Sequence, residues 1–250
     1  MSESASRIWV LTGRNRKEIL RDPLSLMFML ALPLFMEILF YSIFHKLTSQ
    51  FEMKYLAPSI VVFSQAFLSL FAGLLIALDR STAFLTRLFV SKAKSSEFIF
   101  SYALALIPIS FFQALLFSLV GGLIDPSIFG IGMVWGILLS ILTSLLFIGL
   151  GILLGSVCNE KSVGGVASVV IMCQSVLSGM WFPVEGLDSG FLKAMKCLPF
   201  KNATDLIQNA LNGIVNPAED LWKPLLIVLV YTCVIFFTAI ICFKARMKAK

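Results

Sequence analysis

The sequence predicts an all-α integral membrane protein, and its composition and hydropathy carry that prediction. Of the 250 residues, 58% are hydrophobic and 14% are charged, whereas about a quarter of the residues in soluble domains are charged. The mean hydropathy is +0.93. Between Phe98 and Val157 the only charged residue is Asp125. A water-soluble core does not need so long an uncharged stretch, so the composition excludes a soluble fold.

Six apolar stretches are long enough to cross a bilayer as helices, which takes about 20 residues each. They cover residues 24–44, 56–78, 98–120, 128–157, 162–182 and 225–243. The glycines and proline of Gly121-Gly122-Leu123-Ile124-Asp125-Pro126 predict a turn between the third and fourth stretches. The predicted transmembrane domain is therefore 24–243, preceded by residues 1–23 and followed by a short tail, residues 244–250.

The distribution of Lys and Arg predicts that both termini are cytoplasmic. With the N-terminus inside, 14 of these residues lie on the cytoplasmic side and 6 on the opposite side. Cytoplasmic loops carry the excess of positive charge in membrane proteins. The net charge of +6 therefore reflects topology in a lipid-embedded protein of the cell membrane, and it gives no indication of nucleic-acid binding.

Two segments outside the spans are predicted to be amphipathic helices on the cytoplasmic side. The first segment, residues 1–23, mixes Trp9 and aliphatic side chains with five basic ones. We favour an interfacial helix there over a solvated leader, because Trp prefers the membrane boundary. In the second, residues 79–90, an apolar helical face combines Phe84, Leu85, Leu88 and Phe89. By periodicity alone, that face fits a membrane surface and a cytoplasmic partner equally well.

The long outer loop, residues 183–224, is predicted to contain two short amphipathic helices. The first face combines Leu187, Phe191, Ala194, Met195 and Leu198, and the second combines Leu206, Ile207, Ala210, Leu211 and Ile214. Asn202 or Thr204 is the expected N-cap of the second helix, and Gly213 is its expected C-cap. We expect both helices at the outer membrane interface.

Four carboxyl or carboxamide side chains lie inside the predicted spans: Glu37, Gln65, Gln113 and Gln174. Their distance from the outer helix ends places all four about 10–15 Å below the outer surface. A shared depth predicts a polar layer that lines a substrate path, although each glutamine taken singly is better explained by helix packing. For Glu37 we favour the path, because a carboxylate inside a bilayer costs about 2.5–3.5 kcal/mol.

Three motifs resemble those of type-2 ATP-binding-cassette (ABC) exporter permeases, and the resemblance covers nearly the whole chain. The opening of the family's second span, L-x-P-G-I, is similar to Leu56-Ala57-Pro58-Ser59-Ile60. Its coupling segment, L-D-R-E-x-G-T-x-x-R-L, resembles Leu78-Asp79-Arg80 with Thr86-Arg87-Leu88, although Ser81 and Ala83 replace the usual Glu and Gly. The most specific motif, L-S-G-x-F-F-P-x-E-x-L, is similar to Leu177-Ser178-Gly179-Met180-Trp181-Phe182-Pro183-Val184-Glu185-Gly186-Leu187.

The resemblance implies a transport subunit that is not itself an enzyme. The residues that it assigns to ATPase coupling are Asp79, Arg80, Phe84, Arg87, Leu88 and Phe89. The chain has no G-x-x-x-x-G-K-[ST] phosphate loop, so ATP and Mg are expected on two separate ATPase subunits. A second copy of this chain or a related permease would complete the pathway. Similar proteins move drugs, lipids, peptides or glycans outward.

Two other functional classes are alternatives. An intramembrane enzyme would need a catalytic constellation at membrane depth, and the single histidine, His45, with one intramembrane carboxylate argues against it. The five cysteines have no C-x-x-C spacing, which argues against a metal site. A non-transporting membrane scaffold or immunity protein is less well excluded, and a neighbouring gene for an ATPase would favour transport over it.

Overall fold

The computed structural model describes residues 3–81, 94–184, 187–214 and 216–248. Within these ranges the chain is helical and has no β-strand, which confirms the all-α prediction. The α-helices are α1 Glu3–Leu20, α2 Pro23–Phe44, α3 Met53–Ser81, α4 Ser95–Ile124, α5 Ile131–Val157, α6 Glu160–Leu177, α7 Ser189–Cys197, α8 Pro199–Asn212 and α9 Lys223–Lys248. Short 3₁₀ turns precede α3 and α5, and a π-helical segment, Pro217–Trp222, leads into α9.

Five of the six predicted spans coincide with helices that are long and apolar enough to cross a membrane. These are α2, α3, α4, α5 and the stretch Pro217–Ala245, which includes most of α9. The predicted span 162–182 coincides with α6, which has 18 residues, ends at Leu177 and is not among those five. Gly179 follows with φ of +72°, a left-handed conformation that takes the chain out of the helix. The sixth crossing therefore stays a prediction.

The turn predicted between the third and fourth spans begins later in the structure. Helix α4 continues through Gly121 and Gly122 and ends at Ile124, and Asp125 begins the turn. Gly121 lies so close to α3 that a Cβ on it would stand 2.7 Å from the Cβ of Ala57. The prediction was wrong here because this glycine serves close helix packing rather than chain reversal.

Helix α3 lies at the centre of the bundle, and it packs against α2, α4, α5, α6 and α8. Its contact with α5 is the most extensive. Glycines let the two backbones approach, since a Cβ on Gly155 of α5 would stand 2.6 Å from the carbonyl oxygen of Gly73 on α3. In α2 and α9, by contrast, few residues are buried within the bundle, as expected for helices that face lipid.

The two short helices predicted in the outer loop are α7 and α8. Helix α8 begins at Pro199, earlier than predicted, because proline suits the first position of a helix. Asn202 is therefore not its N-cap and instead donates hydrogen bonds to the carbonyls of Lys196 and Leu198, at 2.8 and 2.6 Å. Gly213 ends α8 with φ of +99°, at the predicted position. Because α8 packs against α3, α5 and α9, it belongs to the bundle itself.

The bundle has two ends, which we name by the elements found there. The leader end contains α1, the end of α3, the start of α4 and the turn between α5 and α6, and the hairpin end contains α7 and α8. Pro58 lies near the hairpin end and has no N–H, which leaves the carbonyl of Lys54 without its helical partner. Asn212 of α8 donates to that carbonyl at 2.9 Å and so joins the hairpin to α3.

Candidate functional site

Two of the predicted coupling residues, Asp79 and Arg80, lie in the last turn of α3. The other four, Phe84, Arg87, Leu88 and Phe89, lie outside the described residues. The site is therefore described from the two helices that flank residues 82–93, namely the end of α3 and the start of α4.

An ion pair joins the leader helix α1 to the end of α3. The two terminal nitrogens of Arg14 donate to the two carboxylate oxygens of Asp79, at 2.5 and 2.6 Å. The hydroxyl of Tyr102 on α4 donates to the same carboxylate at 2.6 Å. Asp79 is 3% exposed at its side chain, so these bonds replace water around a buried charge. Burial of Arg14 opposes its charge, but the hydrogen bond and charge of Asp79 outweigh burial and raise the pKa of Arg14.

A second buried carboxylate, Glu97 in the first turn of α4, holds the beginning of α1. It accepts a hydrogen bond from the hydroxyl of Ser4 at 2.5 Å and one from the guanidinium of Arg7 at 3.3 Å. It also accepts from the backbone N–H of Lys94 at 3.1 Å and so caps α4. The carboxylate therefore fixes α1 and the start of α4 to each other.

Neutral hydrogen bonds join the middle of α1 to α4 between these two charged contacts. Asn15 donates to the hydroxyl of Ser101 at 3.3 Å, and Thr12 donates to the Ser101 carbonyl at 3.4 Å. All three side chains are buried. We call the whole set the leader clamp; it consists of Ser4, Arg7, Thr12, Arg14, Asn15, Asp79, Glu97, Ser101 and Tyr102.

Arg80 joins the end of α3 to the end of α5. One of its terminal nitrogens lies within hydrogen-bond distance of the carbonyl oxygens of Gly155, Ser156 and Cys158, at 2.6, 2.8 and 3.0 Å. The last carbonyls of a helix have no partners inside it and carry partial negative charge, so a guanidinium is well suited to them. Adjacent residues of α3 therefore contact opposite neighbours: Asp79 binds α1 and α4, and Arg80 binds α5.

The three predicted intramembrane glutamines are buried, and each makes hydrogen bonds between helices. Gln65 on α3 donates to the carbonyl of Ser140 at 2.9 Å and accepts from Thr143 at 2.7 Å, both on α5. Gln174 on α6 donates to Thr204 on α8 at 3.2 Å. These contacts give Gln65 and Gln174 a packing role.

Gln113 on α4 compensates for a proline in α2. Pro33 has no N–H, so the carbonyl of Met29 lacks its helical partner. Gln113 donates to that carbonyl at 3.0 Å and to the Ser64 carbonyl on α3 at 3.4 Å. Its amide nitrogen thus joins α2, α3 and α4 at one level of the bundle.

Glu37 differs from the glutamines because neither carboxyl oxygen has a hydrogen-bond partner among the described residues. It is fully buried on α2 and lies beside Gly121 of α4. Gly121 follows Gln113 by about 12 Å along α4. Glu37 and Gln113 therefore do not lie at the common depth that the sequence predicts, and the path assigned to the four residues stays a prediction.

A family model described as ABC-2 type transporter matches residues 6–212 of the chain. The chain belongs to the ABC-2 type transporter family. The match extends from α1 to the end of α8 and includes every clamp residue except Ser4. A comparison with individual curated proteins gave no match.

Membership in the ABC-2 type transporter family confirms the resemblance found in the sequence motifs. Together with the long apolar helices, it identifies the chain as a multi-pass membrane protein and an ABC transporter permease. The membrane subunits of this family typically work with ATPase subunits.

Sequence reasoning missed the contribution of α1 and α4 to this site. In the sequence Arg14 is one of the 14 basic residues that predict the topology, and no motif includes Glu97 or Tyr102. A usable signal was present, because Asp79 and Glu97 are acidic residues at the ends of two apolar helices and α1 is rich in arginine. Buried carboxylates at helix ends require cationic partners, and α1 is the basic segment that precedes the first span.

Proposed function

We propose that this chain is the permease subunit of an ATP-driven exporter that moves a drug, lipid, peptide or glycan-type substrate outward. Two separate ATPase subunits bind ATP and Mg, and a second copy of this chain or a related permease completes the pathway. The observation that carries the proposal is the leader clamp, which bonds α1 to both helices that flank residues 82–93.

In this proposal the leader end faces the cytoplasm and six helices cross the membrane. The 14 basic residues assigned to that side, against 6 on the other, support the orientation. Helix α6 is the fifth crossing, since its 18 residues give a length of about 27 Å, close to the hydrocarbon thickness of a bilayer. Helix α1 lies along the inner membrane surface, and both termini are cytoplasmic.

The clamp gives the coupling segment a mechanical connection to the bundle. Force applied to residues 82–93 reaches α3 and α4 directly, because the segment is continuous with both helices. Asp79 and Glu97 pass the displacement to α1, and Arg80 passes it to the end of α5. Because interiors are close-packed and compress little, α1, α3, α4 and α5 would move together at the leader end. Closure of the ATPases would thereby tilt the helices around the substrate path.

Co-purification with an ABC-type ATPase subunit coexpressed with this chain tests the proposal. Phe84→Asp and Arg87→Glu should each reduce recovery of the ATPase at least tenfold and abolish substrate-stimulated hydrolysis, because a charge introduced into a buried contact costs several kcal/mol of association. Both variants should still elute as folded permease from size-exclusion chromatography.

Leu47→Asp is the matched control, because Leu47 is 71% exposed in the turn after α2, at the hairpin end. It should leave ATPase recovery unchanged. Normal recovery and hydrolysis in both coupling variants would exclude the assignment. Permease that never binds an ATPase would favour a membrane scaffold. Loss of ATPase recovery in Leu47→Asp alone would indicate that the hairpin end, and not the leader end, faces the cytoplasm.

A further inference from the structure

Glu37 is a buried carboxyl group that the clamp does not use. It lies on α2, about 10 Å along the helix from its end at Phe44. Its exposed fraction is 0%, and neither of its oxygens has a hydrogen-bond partner in the described part of the chain. Buried polar side chains normally have a hydrogen-bond partner, so Glu37 is unusual.

The surroundings of Glu37 are apolar and closely packed. A Cβ on Gly121 of α4 would stand 3.5 Å from Oε1 of Glu37 and 2.7 Å from the Cβ of Ala57 on α3. The carboxyl group thus occupies the space that the missing side chain of Gly121 leaves between α2, α3 and α4. Backbone N–H groups of these helices are engaged within the helices themselves, so they offer no donor.

No charged side chain compensates Glu37 from the elements packed against it. The titratable groups nearest along those elements are Tyr41 on α2, Glu52, Lys54 and Tyr55 at the start of α3, and Asp125 after α4. Lys54 is paired with Glu52 at 2.9 Å, and the side chain of Asp125 accepts a hydrogen bond from the backbone of the following turn. None of these groups forms a hydrogen bond with Glu37.

An ionised carboxylate in such a site is strongly disfavoured, because burial removes its hydration and no partner replaces it. A neutral carboxylic acid avoids most of that penalty. The packed arrangement of α2 against α3 and α4 is therefore compatible with the protonated side chain and incompatible with the charged one. Any motion that separates α2 from these helices would admit water and allow ionisation.

We propose that Glu37 is a proton-binding site, occupied while α2 packs against α3 and α4 and emptied when they separate. Separation of α2 from α3 and α4 releases one proton. The ratio of open to packed molecules then rises tenfold for each pH unit over the range in which the packed form keeps the proton and the open form loses it. This property belongs to the chain itself and does not depend on the identity of any ATPase or substrate.

The first test compares the pH dependence of unfolding for the full-length wild-type chain and Glu37→Gln, purified in detergent. In the wild type, native Glu37 binds a proton that the unfolded state loses above pH about 4.3. Between pH 5 and 7, the unfolding constant of the wild type should therefore increase by an extra factor of ten per pH unit relative to that of Glu37→Gln. Glu160→Gln is the matched control, because Glu160 is exposed in the first turn of α6, and its curve should parallel the wild type. Parallel curves for wild type and Glu37→Gln would overturn the proposal.

A second test uses only the wild-type chain, in case Glu37→Gln does not fold. Dicyclohexylcarbodiimide is membrane-soluble and reacts with protonated carboxyl groups: the acid proton moves to one nitrogen, the carboxyl oxygen bonds to the central carbon, and the adduct rearranges to a stable N-acylurea. The reagent reaches Glu37 only in open molecules that still hold the proton, and their fraction does not change with pH while the packed form keeps its proton. Peptide mass spectrometry should therefore find Glu37 modified at the same rate at pH 5 and pH 8, whereas modification of the exposed Glu160 should fall tenfold per pH unit. A rate at Glu37 that falls with pH as steeply as the rate at Glu160 would overturn the proposal.

Discussion

Replacing Arg14 with methionine measures the strength of the leader clamp. The substitution keeps an unbranched side chain on α1 but removes both hydrogen bonds to Asp79, at 2.5 and 2.6 Å. Asp79 keeps the hydroxyl of Tyr102 at 2.6 Å. Removing one partner of a fully buried ion pair costs about 3–5 kcal/mol. The side chain of Arg14 is 32% exposed, so water replaces part of its contribution, and we expect a loss of about 2–3 kcal/mol.

For a chain of this size the expected loss lowers the midpoint of thermal unfolding by about 4–12 °C. The loss of helical circular dichroism follows unfolding in detergent, because the described part of the chain is mostly helical. Trypsin cleavage after Lys17 gives a local readout, and the cut should be faster once α1 is released. Arg16→Met is the matched control, since Arg16 is exposed on the same helix, and its effect should stay within about 0.5 kcal/mol.

A double-mutant cycle separates the ion pair from other effects of the substitution. Asp79→Asn keeps the shape of the side chain and removes its charge. The double variant with Arg14→Met should be more stable than the sum of the two single losses predicts, by about 1–2 kcal/mol. Additive losses, or an Arg14→Met midpoint equal to that of Arg16→Met, would refute the clamp as a stabilising connection.

Two further predictions concern helix packing within the bundle. Gly155→Ala should destabilise the fold by about 1–3 kcal/mol, because its Cβ would stand 2.6 Å from a backbone carbonyl of α3. Gln113→Leu should lower the free energy of unfolding by about 1–3 kcal/mol, because it leaves the carbonyl of Met29 unpaired. Adding Pro33→Leu should reduce that loss, because it restores the backbone N–H that pairs with the carbonyl.

Thermal unfolding in detergent checks both predictions against controls within the chain. Gly164→Ala is the control for the first, because a Cβ at Gly164 meets no atom within 4 Å, and alanine there should be neutral or stabilising by up to about 1 kcal/mol. Equal midpoints for the two alanine variants would contradict the close-approach argument. If Gln113→Leu costs the same with and without Pro33, then the glutamine does not compensate for the proline.

The hydropathy pattern located most of the helices, because a chain in lipid must satisfy its backbone hydrogen bonds internally and long apolar segments do so as helices. The pattern is weakest at α6, where Glu160, Lys161 and several small or polar residues dilute the signal, and the crossing there stays a prediction. The pattern failed at Gly121, where the glycine that predicts a turn allows α3 to approach α4. Composition alone does not distinguish a glycine that bends the chain from one that accommodates a neighbouring helix.

Short motifs identified the family, since the segments near Asp79 and Leu177 are contiguous in sequence. They did not reveal the leader clamp, whose members lie far apart: Arg14 and Asp79 are separated by 65 positions. Periodicity predicts which residues share a face of one helix, but it contains no information on which face of another helix that surface meets.

The sequence by itself determined the membrane environment, the helical class and the family, because each depends on composition or on local runs of residues. Tertiary structure alone decided which polar side chains have partners. The rotation and register of α2, α3 and α4 pair Gln113 with Met29 and leave Glu37 beside Gly121, with no donor among the described residues. Inside an apolar bundle a displacement of one helical turn decides whether a polar group is bonded or isolated, and that displacement is fixed by packing between distant segments.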